Sequence, residues 1–374
     1  MSDALTISKP PDEALRAFLA FLLQEKKAAA VLTLDRIGKD AAPAYSLITD
    51  AKELESAAPL LPIMPANAGK LLAEITELGP SPEPIAAVLK PCELRALVEL
   101  KKLNQANLDN LLLISFTCGG VFPLAIRNNG GINETLPAYR DALAKGEVAD
   151  GIRPTCRACE HFVPYNADLT VALVGGPGSS GTSTFLINSS RGAEALEGFE
   201  GERTEAKLES DAIDALRAKR ADEATKLYTE SETAAPGLDG LISIFGRCLS
   251  CRACSTVCPI CYCELCYFDS VTEDPAPNKY EAQLRHRKAT RVPPGTIAFH
   301  LGRMTHMVIS CVGCGMCSDV CPVSIPVATL FSMVGKSADK VFSYVPGKDL
   351  DEELPLKKYE VDELSHLGEE RIES

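Results

Sequence analysis

Seven cysteines fall within the twenty residues RCLSCRACSTVCPICYCELC, 247–266. Cys248, Cys251, Cys254 and Cys258, the last followed by Pro259, have the spacing C-x2-C-x2-C-x3-C-P; Cys311, Cys314, Cys317 and Cys321-Pro322 repeat it. That run is the signature of a pair of [4Fe–4S] clusters. Three thiolates two residues apart wrap one corner of an iron–sulfur cube, and the fourth, held away by the proline, serves the other cube. The sets expected are Cys248, Cys251 and Cys254 with Cys321, and Cys311, Cys314 and Cys317 with Cys258. Zinc also accepts C-x2-C and is the rival, disfavoured by the third evenly spaced cysteine and the Cys-Pro that follows. Cys261, Cys263 and Cys266 remain. They hold a fourth cluster with one non-cysteine ligand, exchange with the ligands above, or are buried thiols.

A second group comprises Cys92, Cys118 and the pair Cys156 and Cys159 in RPTCRACEHF. The elements that must position it can be read from the apolar pattern. IAAVL (85–89) predicts a buried strand ending at Lys90, Pro91 and Cys92. ELRALVELKKL (93–103) predicts a helix with Leu94, Leu97 and Val98 on one face, and LLLISF (111–116) the next strand, leading into Thr117, Cys118, Gly119 and Gly120. A strand–helix–strand unit makes its two strands parallel, so Cys92 and Cys118 leave the sheet at the same carboxyl edge. Open α/β sheets hold their ligands there. The C-x2-C pair can close over that edge, and the helix after Cys92 turns free N–H groups toward it, which favours an anion. The expectation is a third [4Fe–4S] cluster, with zinc the main rival.

Elsewhere, Leu15, Phe18, Leu19 and Leu22 fall at helical spacing and AAVLTL (29–34) reads as a strand. The expected fold is an α/β domain over 1–198, a mixed sheet containing a parallel βαβ unit. A helical connector and linker follow over 199–240. An α-helical two-cluster ferredoxin-like domain occupies 241–335 and a charged tail 336–374, lying on a partner or in solvent. More than forty residues separate the two cysteine runs, too many for a compact ferredoxin sandwich. The intervening TIAFHLGRMTHMVIS (296–310) places Ile297, Leu301, Met304 and Val308 on one helical face, so helices should frame the clusters. The Gly/Ser-rich loop with Gly175, Gly176, Gly178, Ser179 and Gly181 lies between two strands. It would let backbone N–H groups approach a phosphate, or it is a plain hairpin connection. His161, His300 and His306 read as structural, and no side chain is expected to act as acid or base.

The chain has 374 residues, 46% of them apolar, enough for two domains. Its net charge of −13 disfavours a nucleic-acid partner, which needs clustered Lys and Arg. No apolar stretch approaches a membrane span and no export signal is read, so a cytoplasmic protein is expected. Fifteen cysteines in a reducing compartment point to metal rather than disulfides.

Taken in order, KPCELRALVELKKLNQANLDN, TCGG, CRACEHFVPYNADL, the two cysteine runs and SYVPG with a following LP run from residue 90 to residue 355. They resemble the coenzyme F(420) hydrogenase/dehydrogenase β-subunit family, and within it the formate dehydrogenase β subunits. The resemblance implies an iron–sulfur flavoprotein. FAD exchanges hydride with the deazaflavin F(420), and clusters pass single electrons to or from a catalytic subunit. It supports Cys92, Cys118, Cys156 and Cys159 as ligands of the cluster nearest the flavin and puts the 175–181 loop at the FAD. The partners expected are a formate dehydrogenase- or hydrogenase-like catalytic subunit, or heterodisulfide-reductase-like subunits. Where the family has a glycine pair before the first helix, this chain has Asp12 and Glu13, and it has no tryptophan. The alternative function is a flavin-free connector with no substrate of its own.

Overall fold

In the computed structural model, residues 2–38, 41–128, 131–175, 181–206, 210–270, 276–290 and 292–357 are described. Eight strands form one sheet: β1 (Ser2–Ile7), β2 (Ala30–Ile37), β3 (Ala42–Ile48), β4 (Ile85–Leu89), β5 (Leu111–Phe116), β6 (Leu169–Val171), β7 (Ser183–Ile187) and β8 (Glu202–Ala206). Their order is β3-β2-β4-β5-β6-β7-β1-β8. The centre, β2-β4-β5-β6, is parallel, and the pairings outside it are antiparallel. Strands β4 and β5 consist wholly of buried residues, as a strand covered on both faces must.

The first three helices are α1 (Pro11–Gln24), α2 (Ala68–Thr76) and α3 (Pro91–Lys102). Helix α1 lays Leu15, Phe18, Leu19 and Leu22 on one face of the sheet, against Val31, Val88 and Ile114. The opposite face, with Leu32, Ala87, Leu89 and Leu113, is covered by Leu72 of α2 and Leu94 and Leu97 of α3. Alternate residues of a strand point to opposite faces, which is why Ala87 and Val88 belong to different cores. Helix α3 starts with a proline, and its third residue, Glu93, accepts from the backbone N–H of Lys90 at 2.8 Å. The expected strand–helix–strand unit is therefore present and parallel.

The remaining helices are α4 (Ile132–Ala144), α5 (Pro154–Arg157), α6 (Ser190–Ala195), α7 (Asp211–Ala234), α8 (Gly237–Phe245), α9 (Ala253–Thr256), α10 (Pro277–Arg287), α11 (Thr296–Met307), α12 (Met316–Asp319) and α13 (Val327–Phe342). From α8 onward the described residues contain no strand. Leu100 on the far side of α3 joins Phe245, Met307, Leu330 and Phe331 in a second core, so α3 packs against both parts of the molecule.

Two boundaries differ from expectation. The stretch read as a helical connector begins with β8, which pairs with β1 along the sheet edge; an edge strand has one neighbour and tolerates the charged sequence ERTEA. The charged tail expected from 336 begins inside α13. Beyond that helix Tyr344 and Leu354 are buried, and the strap carrying them lies along α3. Glu99, fully buried on α3, accepts from the backbone N–H of Gly347 at 2.7 Å and from the Tyr344 hydroxyl, and Arg95 donates to the Pro346 carbonyl at 2.7 Å. No helix among the described residues is long and apolar enough to cross a membrane.

Candidate metal centres

The two cysteine runs fold alike. In each, the second and fourth residues after the first cysteine have left-handed backbone: Ser250 (φ 58°) and Arg252 (φ 61°) in one, Gly313 (φ 68°) and Gly315 (φ 83°) in the other. A side-chain-bearing residue held there costs roughly 1–2 kcal/mol. The reversals wrap the chain so that its N–H groups meet sulfur: Ser250 N–H lies 3.3 Å from Cys248 Sγ, and Gly313 N–H hydrogen-bonds the sulfur of Cys311. Cys321 Sγ accepts from Ile325 N–H at 3.3 Å.

The sulfurs gather across the two runs as the motif geometry requires. Cys254 neighbours Cys248, Cys251 and Cys321. Cys258 stands with Cys311, Cys314 and Cys317, and these four line one small cavity. Burial, reinforced by the neighbouring sulfurs, pushes Cys254 up to about 11, Cys311 to about 11 and Cys314 to about 12. Neighbouring thiols that are partly withdrawn from water resist ionisation unless a cation is shared among them, and a metal–sulfur cluster supplies that charge. All fifteen cysteines are free of disulfides. Among the described residues no three potential ligands converge on a point suited to one metal ion.

The third group is also brought together. Cys92 lies beside Cys118, Cys156 and Cys314, and Cys118 beside Cys156 and Cys159. Burial is the main reason that Cys92 rises well above its ordinary value and that Cys118 reaches about 12. Cys118 Sγ accepts from Gly120 N–H at 3.3 Å. Cys92 and Cys118 occupy the carboxyl ends of β4 and β5, and Cys156 and Cys159 come over them from α5 and its end. The third group meets the tail at Gly315. A Cβ there would stand 2.6 Å from Thr155 Oγ1, so only glycine allows the loop after Cys314 to touch α5. Arg153 locks the same junction, donating to the carbonyls of Cys314 (3.1 Å) and Met64 (3.2 Å) and pairing with Asp319 at 2.5 Å.

A cavity of about 720 Å3 opens between residues of α1 and α4. Its wall includes Tyr139, Leu143, Ala172 and Leu173, with Asp12, Glu13 and Glu55 facing Arg16, Arg36 and Arg140. Tyr139 donates to the carbonyl of Gly120 at 2.9 Å, and Thr117 Oγ1 accepts from the N–H groups of Leu173 and Val174, each at 2.8 Å. The wall is thereby tied to the Cys118 segment. Asp12, which together with Glu13 takes the place of the glycine pair, is paired with Arg140 at 2.6 Å. Of the glycine-rich loop, Gly176, Gly178 and Ser179 lie outside the described residues. Gly175 donates to the Leu143 carbonyl at 3.1 Å, at the cavity wall, and Gly181 has open space where a Cβ would stand.

Cys261 lies near Cys258 and Cys266, while Cys263 is exposed. His300 is buried and stacked on Phe245 at 4.3 Å; burial lowers it to about 4. His161 bonds the Tyr165 hydroxyl through Nδ1 at 2.8 Å, and His306 is exposed on α11. The sequence reading missed Arg153, Arg220 and Arg303, all buried beside the cysteines. A lone arginine in a helical pattern reads as surface, and no signal in the sequence separates these three from the rest.

Two family models match the chain. Residues 124–215 match the family described as the C terminus of the coenzyme F(420) hydrogenase/dehydrogenase β subunit, and residues 244–325 match a 4Fe–4S dicluster domain. The chain is 30% identical over 370 residues to the F(420)-dependent formate dehydrogenase subunit β of Methanocaldococcus jannaschii, covering 90% of this chain and 92% of that protein. It is 29% identical over 382 residues to the F(420)-dependent formate dehydrogenase 1 subunit β of Methanococcus maripaludis, covering 91% and 92%. Among solved structures, a chain of the F(420)-reducing [NiFe] hydrogenase complex from Methanosarcina barkeri aligns with a TM-score of 0.45 and 16% identity, over 64% of this chain and 94% of that one.

Proposed function

This chain belongs to the coenzyme F(420) hydrogenase/dehydrogenase β-subunit family, and on that premise we propose that it is the iron–sulfur electron-transfer subunit of a formate dehydrogenase-like complex, carrying three [4Fe–4S] clusters and FAD. The observation that carries the reading is the grouping of twelve cysteines into three sets, with Cys92 of one set beside Cys314 of the next. Cys248, Cys251, Cys254 and Cys321 hold one cluster, Cys258, Cys311, Cys314 and Cys317 the second, and Cys92, Cys118, Cys156 and Cys159 the third. Bound clusters accept one electron at a time, and a flavin converts that traffic to hydride chemistry.

The large cavity is the FAD site in this reading. Its volume lies within the range of about 300–1,000 Å3 usual for cofactor sites. Three arginines offset its three carboxylates, and Tyr139 joins its wall to the cysteine set nearest it. The protein's own work there is to exclude water, hold the ring system against apolar side chains and fix the distance to Cys118. The partner is a catalytic oxidoreductase subunit of the formate dehydrogenase or hydrogenase type.

Anaerobically purified full-length chain should contain about twelve irons, since each cube brings four. Denaturation should release FAD in equal amount to the protein. Iron without flavin would favour the connector function, and zinc in place of iron would end the reading.

A further inference from the structure

We propose that Arg303 and Arg220 are built-in counter-charges for the clusters, Arg303 serving the two in the tail and Arg220 the one at the sheet edge, and that they hold those clusters' potentials up. Both side chains are almost wholly buried, at 3% and 1% exposure. A buried guanidinium ordinarily pairs with a carboxylate, as Arg153 does with Asp319. Neither Arg303 nor Arg220 has such a partner among the described residues. Arg303 leaves Nε and Nη1 without a hydrogen bond, and Arg220 leaves Nε and Nη2. An uncompensated buried cation is among the costliest features a fold can carry, so each of the two calls for an anion beside it.

The surroundings say which anion. Arg303 reaches from α11 to donate to the carbonyl of Cys254 at 3.1 Å, and it also lines the cavity shared by Cys258, Cys311, Cys314 and Cys317. It thus reaches both tail sets, and the thiol of Cys261 also lies beside it. Its plane lies by the rings of Phe299 and Phe331, at 5.6 and 5.4 Å. Arg220 repeats the arrangement from α7: it donates to the carbonyl of Cys159 at 3.3 Å, lies 4.7 Å over the Phe162 ring and stands within electrostatic reach of Cys118 and Cys156. In each case one bond goes to a ligand's own backbone, a ring supports the cation, and the remaining N–H groups are left for a charged neighbour. A cluster held by four thiolates is an anion and becomes more negative on reduction. A fixed cation beside it favours the reduced form, because potential follows net charge and burial.

The inference rests on the iron–sulfur reading, and one experiment separates the two. The full-length chain and its Arg303→Met, Arg303→Lys, Arg220→Met and Arg220→Lys variants are loaded anaerobically, assayed for iron, and titrated electrochemically with spin-resonance detection. Wild-type chain without iron–sulfur signals would overturn the underlying reading. With signals present, Arg303→Met should lower the reduced-to-oxidised ratio of the two tail clusters about tenfold at fixed potential, roughly 59 mV for one electron, and leave the third unmoved. Arg220→Met should do the converse. The lysine variants, which keep the charge, should stay near wild type. Unmoved potentials, a common shift of all three clusters, or lysine variants shifted as far as the methionine ones would overturn the proposal. Should a methionine variant fail to load, Arg303→Gln and Arg220→Gln keep a donor for the ligand carbonyl and decide the matter by the same shifts.

Discussion

At the residue scale the chemistry rests on sulfur, and sulfur was also the most legible part of the sequence. The spacing of a cysteine run is imposed by the size of the group it wraps, so Cys248 to Cys258 and Cys311 to Cys321 announce their pairing before any fold is known. Cys92 and Cys118 needed one further step, the inference that β4 and β5 are parallel. Of the three surplus cysteines, Cys261 and Cys266 are half-buried. Cys263 is exposed, whereas Cys258 shares a cavity with three other sulfurs. Cys263→Ser should therefore leave the iron content at about twelve per chain, and Cys258→Ser should remove a ligand and bring it toward eight. Iron and acid-labile sulfide analysis of anaerobic protein checks both. A loss of four irons on Cys263→Ser would mean that a fourth cluster exists. The arginines stayed hidden because their meaning lies in what surrounds them, which spacing does not encode.

At the element scale α3 organises the molecule. Cys92 opens it, Leu94 and Leu97 seal the sheet, Leu100 enters the tail's core, and Arg95 and Glu99 hold the strap. The sheet-facing stripe was legible as helical periodicity. The strap was not, because KDLDEELP reads as charged surface and its anchor is a backbone N–H received by a buried carboxylate. Gly347 makes that contact feasible. Its φ is +68°, and a Cβ would stand 2.2 Å from the carbonyl oxygen of Arg95. Gly347→Ala should therefore strain the backbone and lift the strap from Glu99, leaving a buried carboxylate short of a donor. The expected cost is about 2–4 kcal/mol, from left-handed strain together with an unsatisfied buried charged group. Anaerobic denaturant unfolding measures it. A change below about 0.5 kcal/mol, the scale of a neutral surface substitution, would mean that the strap is not seated as described.

At the scale of the whole molecule, the requirement is that the sheet-edge cysteines and the tail cysteines keep a fixed separation. The chain meets it where Cys314, Gly315 and Asp319 face Met64, Arg153 and Thr155. Arg153 closes this joint. It bonds two carbonyls from opposite sides and pairs with a nearly buried carboxylate, and Asp319 also accepts from Leu124 N–H at 3.0 Å. Removing one partner of such a pair strands the other charge, so Asp319→Ala should cost about 3–5 kcal/mol. Removing both charges is a gentler change. Arg153→Met with Asp319→Leu should recover much of that loss, because neither residue then leaves a charge in the interior. The double-mutant cycle by anaerobic unfolding gives the coupling directly. Additive losses would show that the joint is held by packing around Met64 and Met316 rather than by charge. Strong coupling would locate the rigidity of the Cys92–Cys314 approach in a single ion pair.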